Sequence, residues 1–256
     1  MILKSRREIV LMRDAGKVVA ECLELCREMS KPGVTTIEID RRVEALIRQR
    51  GATPAFKGYS LYGKPPYPAS ICASINEEVV HGIPDARVLE DGDILSIDVG
   101  TCLKHYYGDA AATFPVGTIS REAAKLLEVT KTALFKAIEK MRSGVKLREL
   151  SRTIQQNAES QGFSVVRDFV GHGIGTKMHE DPQVPNFVSA GFPGFHTTVL
   201  KPGAVLALEP MLNVGGSAVE ELGNKWTVVT KDRKLSAHFE HSVAVTDGEP
   251  EILTAL

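Results

Sequence analysis

The chain has 256 residues, 43% of them hydrophobic and 25% charged, with a net charge of -1. That is the composition of an ordinary globular domain or two small ones. It argues against a nucleic-acid binder working by phosphate neutralisation, and the sequence carries no nucleic-acid motif. No apolar run approaches the roughly 18 residues needed to span a membrane, and the basic start, Lys4, Arg6 and Arg7, has no apolar stretch behind it as a secretory signal would. A cytoplasmic protein with no membrane partner is expected.

In chain order, Ser5 and Glu8 form a capping-box pattern, and Ile9, Met12, Gly16, Val19, Leu23 and Cys26 recur at helical spacing until Lys31, Pro32 and Gly33 stop the helix. Cys22 and Cys26 lie one turn apart and read as small buried hydrophobes, since the four cysteines make no C-x-x-C pair. A second helix starts at Thr35, with Glu38 three residues on, and ends before Gly51. Residues 52–68 are rich in Gly, Pro and Tyr and read as a loop. Short strands follow, with 93–100 and 109–116 forming a hairpin. Helices are expected over 120–142 and 146–161, then strands near 204–209, 225–230 and 237–246.

An internal repeat organises these elements. A shift of 111 residues places Gly33 on Gly144, Val34 on Val145, Glu38 on Glu149, Arg41 on Arg152 and Gly51 on Gly162. The same shift places Leu89 on Leu200, Gly92 on Gly203, Leu95 on Leu206 and Asp98 on Glu209. The period is too long for a solenoid. It predicts one domain, 1–256, made of two related α+β halves, each with a strand ending in a carboxylate at a shared cleft.

Asp98 sits in an apolar strand, Glu209 ends an even more apolar run, and Glu240 follows Phe239. An isolated buried carboxylate is costly and needs a cation. Any single acid could pair with its own Arg or Lys, but few basic residues lie near these strands. With Asp109 there are four such acids, which would repel one another and raise one another's pKa values. Together with one imidazole they suit a pair of divalent ions, of Mn, Fe(II), Co or Zn character. His172 lies in a glycine-flanked loop, 171–175, where the backbone could approach a ligand closely. From spacing alone His172, His179 and His81 each also admit a purely structural reading.

With these residues assembled, the sequence resembles the type I methionine aminopeptidases over nearly its whole length. The matching stretches are 74–77, 80–84, 97–99, 108–109, 171–175, 179–180, 209–211 and 239–241. The resemblance implies the pseudo-symmetric pita-bread fold, a central curved antiparallel sheet covered by helices. It implies Asp98, Asp109, His172, Glu209 and Glu240 as ligands of two divalent ions, Glu209 as general base, and His81 and His179 as substrate-contacting residues. Tyr67, Cys72, Met178 and Trp226 would form the methionine pocket, and the backbone oxygens of Asn76 and Ser236 match a monovalent-cation site of some members. The implied substrates are the N-termini of nascent polypeptides, met near the ribosome surface by a monomeric enzyme. Two departures stand out. Met178 replaces a Phe common in the family, and the segment 59–66 is longer than in compact relatives. No zinc-binding N-terminal extension is seen, which fits the bacterial type. A proline-specific relative, aminopeptidase P or prolidase, would share the ligands but usually carries an extra N-terminal domain. A non-catalytic binding protein of the same fold would have lost ligands, and all five positions are intact here.

Overall fold

The computed structural model describes residues 1–61, 63–189, 191–192 and 194–255. The first half holds α1 (Arg6–Met29), α2 (Thr36–Gln49), β1 (Thr53–Pro54), β2 (Cys72–Ile75), β3 (Glu78–Val80), β4 (Ile94–Leu103) and β5 (Tyr106–Pro115). Next come α3 (Arg121–Glu139), α4 (Leu147–Ser160), β6 (Ser164–Val165), β7 (Val170–Gly173), β8 (Glu180–Pro185), β9 (Val205–Leu208) and β10 (Met211–Asn213). The chain finishes with β11 (Val219–Glu221), β12 (Val228–Thr230), β13 (Ser236–His238), β14 (His241–Ala244) and β15 (Glu251–Ile252). Among the described residues, no helix is long and apolar enough to cross a membrane.

Both first-half helices begin where the capping pattern places them. The Ser5 and Thr35 hydroxyls accept from the N–H of Glu8 and Glu38, whose carboxylates accept from the N–H of the cap residue in return. Cys22 and Cys26 are buried and free, and they pack into the first core with Ile39, Val43 and Ile47 of α2 and Ile97 and Val99 of β4. The β4–β5 hairpin is longer than the sequence pattern predicts. Pairing runs on to Leu103 and Tyr106, because Lys104 and His105 both take left-handed backbone conformations (φ 52° and 67°) and so make the tight two-residue turn that matches strand twist. Asp98 therefore lies inside β4, not at its end.

The offset of 111 residues recurs in the backbone. An isolated bridge joins Thr35 to Val88, and another joins Lys146 to Val199. The N–H of Gly33 donates to the Leu89 carbonyl and that of Gly144 to the Leu200 carbonyl, at 2.9 and 3.0 Å. In the second half, Leu134 and Ile138 of α3, Leu150 and Ile154 of α4, and Leu206, Leu208 and Val243 of the strands form the matching core.

Strand alternation sets the site from these two cores. Leu95, Ile97 and Val99 enter the first core, so Ser96 and Asp98 face the other side of the sheet. Leu206 and Leu208 enter the second core, so Glu209 takes the equivalent position. Four sheets carry the strands, ordered β1-β4-β2 with β5 beside β4, β13-β10-β6, β11-β12-β3, and β15-β14-β9-β7-β8. The halves are stitched at β5, where Glu240 donates its N–H to the Ala111 carbonyl at 2.8 Å and accepts from the Ala111 N–H at 3.3 Å.

Candidate active site

All five predicted acids and imidazole meet at one cleft of about 800 Å³, lined by Asp98, Asp109, His172, Glu209 and Glu240. Asp98 pairs across the sheet with Cys72 and Ala111. The backbone of Asp109 is held by Ser242, whose hydroxyl accepts from its N–H and donates to its carbonyl at 3.2 and 2.8 Å. Asn186 fixes Glu209 by donating to its carbonyl at 2.9 Å. Ligand atoms of Asp109, His172 and Glu240 all lie within 4.8 Å of one another, close enough to hold one ion together.

His172 presents the right nitrogen to this cluster. Its Nδ1 is 2.8 Å from the Gly173 carbonyl, which can only accept, so the proton sits on Nδ1 and the Nε2 lone pair is free. Nε2 lies 3.6 Å from Glu209 and 3.8 Å from Asp109. Burial pushes the imidazole pKa down to about 3, with His179 adding to the effect, so the ring is neutral and ready to ligate.

The acids behave as uncompensated charges. Burial lifts Asp98 to about 7. It also raises Asp109, Glu209 and Glu240 well above the carboxylate range, each pushed further by its acidic neighbours. Buried oxygens of Asp98, Asp109 and Glu240 have no hydrogen-bond partner. Buried polar atoms are normally satisfied, so this donor set, four carboxylates and one imidazole, fits divalent ions.

The histidine segment differs from the sequence reading. Residues 170–173 form β7, paired with β8 and β9, and not a loop. Its glycines admit neighbouring backbone rather than a ligand. A Cβ on Gly171 would lie 2.4 Å from the Ala207 carbonyl oxygen, and one on Gly173 2.4 Å from that of Asp181. A Cβ on Gly175 would strike the side chains of Lys4 and Glu180. Those two form an ion pair at 2.5 Å with side chains only 3% and 4% exposed, directly beside His179.

Around the acids stand the remaining predicted residues. His81 has a left-handed backbone (φ 60°), and its ring packs edge-on against Phe169 and Trp226 at 5.4 and 6.1 Å. Burial lowers its pKa to about 4. The His179 ring lies 4.4 Å from that of His172, and its Nδ1 is 2.9 Å from the Tyr59 hydroxyl. Tyr67, Cys72 and Trp226 form one buried apolar cluster with Phe56, Tyr59 and Ile83 against it. The Tyr67 hydroxyl is consumed by the Ile71 and Gly82 carbonyls, so that ring offers the cavity only apolar surface.

Met178 is the exception. It is buried with Met12, Ile174 and Leu253, against Ala55 and Phe56, and is absent from the cavity wall, which Phe56 and Tyr59 line instead. Met178 thus packs against Phe56, which lines the cavity. In the long segment 59–66, Tyr62 lies outside the described residues. Leu61 lines the cavity, Pro65 accepts from the Trp226 indole N–H at 3.0 Å, and the Lys64 ammonium sits 5.1 Å over that ring. Asn76 and Ser236 are neighbours, the Ser236 N–H donating to the Asn76 carbonyl at 2.9 Å, which leaves that oxygen a second lone pair. Sequence reasoning missed Phe56, Tyr59 and the Lys4–Glu180 pair. An aromatic in a Gly-rich loop and a lone lysine near the start carry no pattern that marks them.

Comparison with known proteins agrees with this geometry. Residues 10–247 match the model of metallopeptidase family M24. The chain belongs to that family. It is 54% identical over 256 residues to a methionine aminopeptidase of Clostridium perfringens, covering 100% of this chain and 99% of the relative. Methionine aminopeptidase 1 of Bacillus subtilis is 48% identical over 254 residues, covering 99% of each. The crystal structure of methionine aminopeptidase from Thermotoga maritima superposes with a TM-score of 0.94 at 41% identity, covering 100% of both chains. A prolidase from Pyrococcus horikoshii shares the M24 fold alone, with a TM-score of 0.77 at 23% identity, and this chain covers 63% of it.

Proposed function

We propose that this M24 protein removes the N-terminal methionine from nascent proteins and peptides whose second residue is small, by two-metal-assisted hydrolysis. The observation that carries the reading is the set of four carboxylates, three of them (Asp98, Asp109 and Glu240) with unpartnered buried oxygens, gathered in one cleft with the free Nε2 of His172. Asp98, Asp109, His172, Glu209 and Glu240 would hold two divalent ions of Co, Mn, Fe or Zn character. When bound, these ions supply the charge that offsets the acids and make water acidic enough to attack near neutral pH.

The residues of the chain divide the remaining work. Glu209 accepts a proton from the attacking water, whose oxygen bonds to the carbonyl carbon of methionine. The C–N bond then breaks, and the proton held by Glu209 passes to the departing amine. His81 and His179, which line the same cleft as the acids, hold the scissile amide and stabilise charge developing on its oxygen. Tyr67, Cys72 and Trp226, with Phe56 and Tyr59, give a thioether side chain an apolar, aromatic-edged slot. A slot that fits methionine discriminates by about 1–3 kcal/mol per methylene. Asn76 and Ser236 would add a monovalent-cation site through backbone oxygen.

A panel of peptides assayed with and without added metal tests this reading. Met-Ala, Met-Gly and Met-Ser peptides should be cleaved well, Met-Leu and Met-Lys peptides poorly, and a strong chelator should abolish activity until Co(II), Mn(II) or Fe(II) is restored. Full activity in metal-stripped protein, or cleavage of Xaa-Pro peptides with no preference for methionine, overturns it.

A further inference from the structure

His238 is the one buried titratable group beside the acids to which neither the spacing of the motifs nor the proposed chemistry gives a role. It ends β13 and pairs with Met211 of β10. Its backbone is clamped to β5 from both directions, its N–H donating to the Thr113 hydroxyl at 2.9 Å and its carbonyl accepting from that hydroxyl at 2.8 Å. Thr113 is in turn held by Ser96 at 2.8 Å. Two residues on, Glu240 is clamped to the same strand through Ala111. The spacing between the two residues is thus fixed by β5, and only their side chains are left to adjust.

Those side chains face each other without bonding. The imidazole is 2% exposed, its Nε2 has no hydrogen-bond partner, and that nitrogen lies 3.9 Å from Glu240 Oε2. The separation is too long for a hydrogen bond by about 0.7–1 Å. One oxygen of Glu240, Oε1, is also without a partner. Leaving a buried ring nitrogen unsatisfied costs about 1–3 kcal/mol, and a leucine would fill the space without that cost. A neutral imidazole can carry its proton on Nε2, and that nitrogen would then be a donor aimed at the carboxylate without adding charge.

We propose that His238 is a positioning residue for the metal centre: its Nε2–H donates to Glu240 Oε2 when Glu240 ligates an ion. The bond would fix the carboxylate rotamer and leave the second oxygen for the ion. Ligating carboxylates are commonly held in this way, and loss of such a partner lowers metal affinity by about 10–100-fold. The inference rests on the reading of Glu240 as a metal ligand.

Titration calorimetry of Mn(II) into the metal-stripped full-length chain tests it, using wild type, E240Q, H238L and H238Q. E240Q should lose at least one ion, which tests the underlying reading alone. H238L should weaken at least one Mn(II) site by about 10–100-fold while melting, without metal, no lower than wild type. H238Q, which restores an N–H at similar reach, should bind within a few-fold of wild type. If E240Q weakens binding and H238L does not, or if H238Q is as weak as H238L, the role of His238 is wrong. If E240Q binds Mn(II) like wild type, the ligand assignment itself fails. Should H238L not fold, H238M carries the same comparison.

Discussion

Two kinds of buried carboxylate lie within this molecule, and they are furnished differently. Asp40 is buried on α2, yet one of its oxygens accepts the N–H groups of Ser70 and Ile71 at 2.8 and 3.1 Å. Glu180 is matched by Lys4. The acids of the cleft have neither arrangement, and buried oxygens of Asp98, Asp109 and Glu240 meet no donor at all. A protein can bury an acid to hold structure together, and it then supplies donors. Where it buries several acids in contact and withholds donors, their compensation must come from outside the chain. Burial alone does not set the cleft acids apart. The missing partners, at three of the four, do.

The largest effect that would sharpen this contrast is on chemistry. Glu209→Gln keeps the shape but removes the base and a ligand charge, so kcat should fall by more than the about 10²–10⁴-fold typical of losing a general base. A variant within tenfold of wild type in steady-state assays would take Glu209 out of its role.

The next is pH. Without metal, burial and mutual repulsion make the folded cleft acids hold their protons past the usual carboxylate range, to about 7 for Asp98, with Asp109, Glu209 and Glu240 also raised well above that range, whereas unfolded carboxyls lose theirs near 4. Above about pH 7.5, a unit past the pKa of an unfolded histidine, the buried histidines, lowered to about 4 for His81 and about 3 for His172 and His238, are neutral in both states and drop out. The folded chain then binds more protons than the unfolded one. Stability of the metal-stripped protein should therefore fall as pH rises above about 7.5, by about 1.4 kcal/mol per pH unit for each carboxyl still protonated in the folded chain. Melting curves should show the decline without metal and lose it when Mn(II) is added. A flat profile in the stripped protein would mean the cleft acids are compensated within the chain after all.

The paired acids should respond through stability instead. Lys4→Met strands Glu180 without its cation, at a cost of about 3–5 kcal/mol, and replacing both partners with apolar residues should recover much of it. Denaturant titration of the single and double variants measures both. If the double variant is as unstable as the single, the pair is not acting as a pair. Asp40→Ala removes the acceptor for two N–H groups and should cost about 1–3 kcal/mol, with peptidase activity retained by the folded fraction. Metal loss in this variant would erase the distinction between the two classes of acid.

The parts of this arrangement that could be read from sequence were those written in local pattern. Ser5 with Glu8 and Thr35 with Glu38 announce helix starts because a capping box is a three-residue signal. Asp98 and Glu209 stand out as carboxylates set in apolar runs, and the repeat makes them kin, although Asp98 lies inside β4 rather than at its end. What stayed hidden was set by distant parts of the chain. Residues 170–173 look like a glycine turn until β8 and β9 are seen flanking them. Lys4 meets Glu180 across 176 residues. The resemblance puts Met178 in the pocket, and its packing with Met12 and Leu253 against Phe56 joins segments far apart in the chain that no local pattern links.

The stitch between Glu240 and Ala111 also bears on when the site comes into being. Asp98 and Asp109 leave the ribosome well before the clamp that seats Glu240, and the hydroxyl of Ser242 that braces Asp109 follows it by 133 residues. Contacts of such long sequence separation form late and slowly in folding. The first half can collapse on its own core, but a half-made chain owns half a site. An enzyme proposed to trim proteins as they emerge thus has no working centre of its own until Glu240 and Ser242 have themselves emerged.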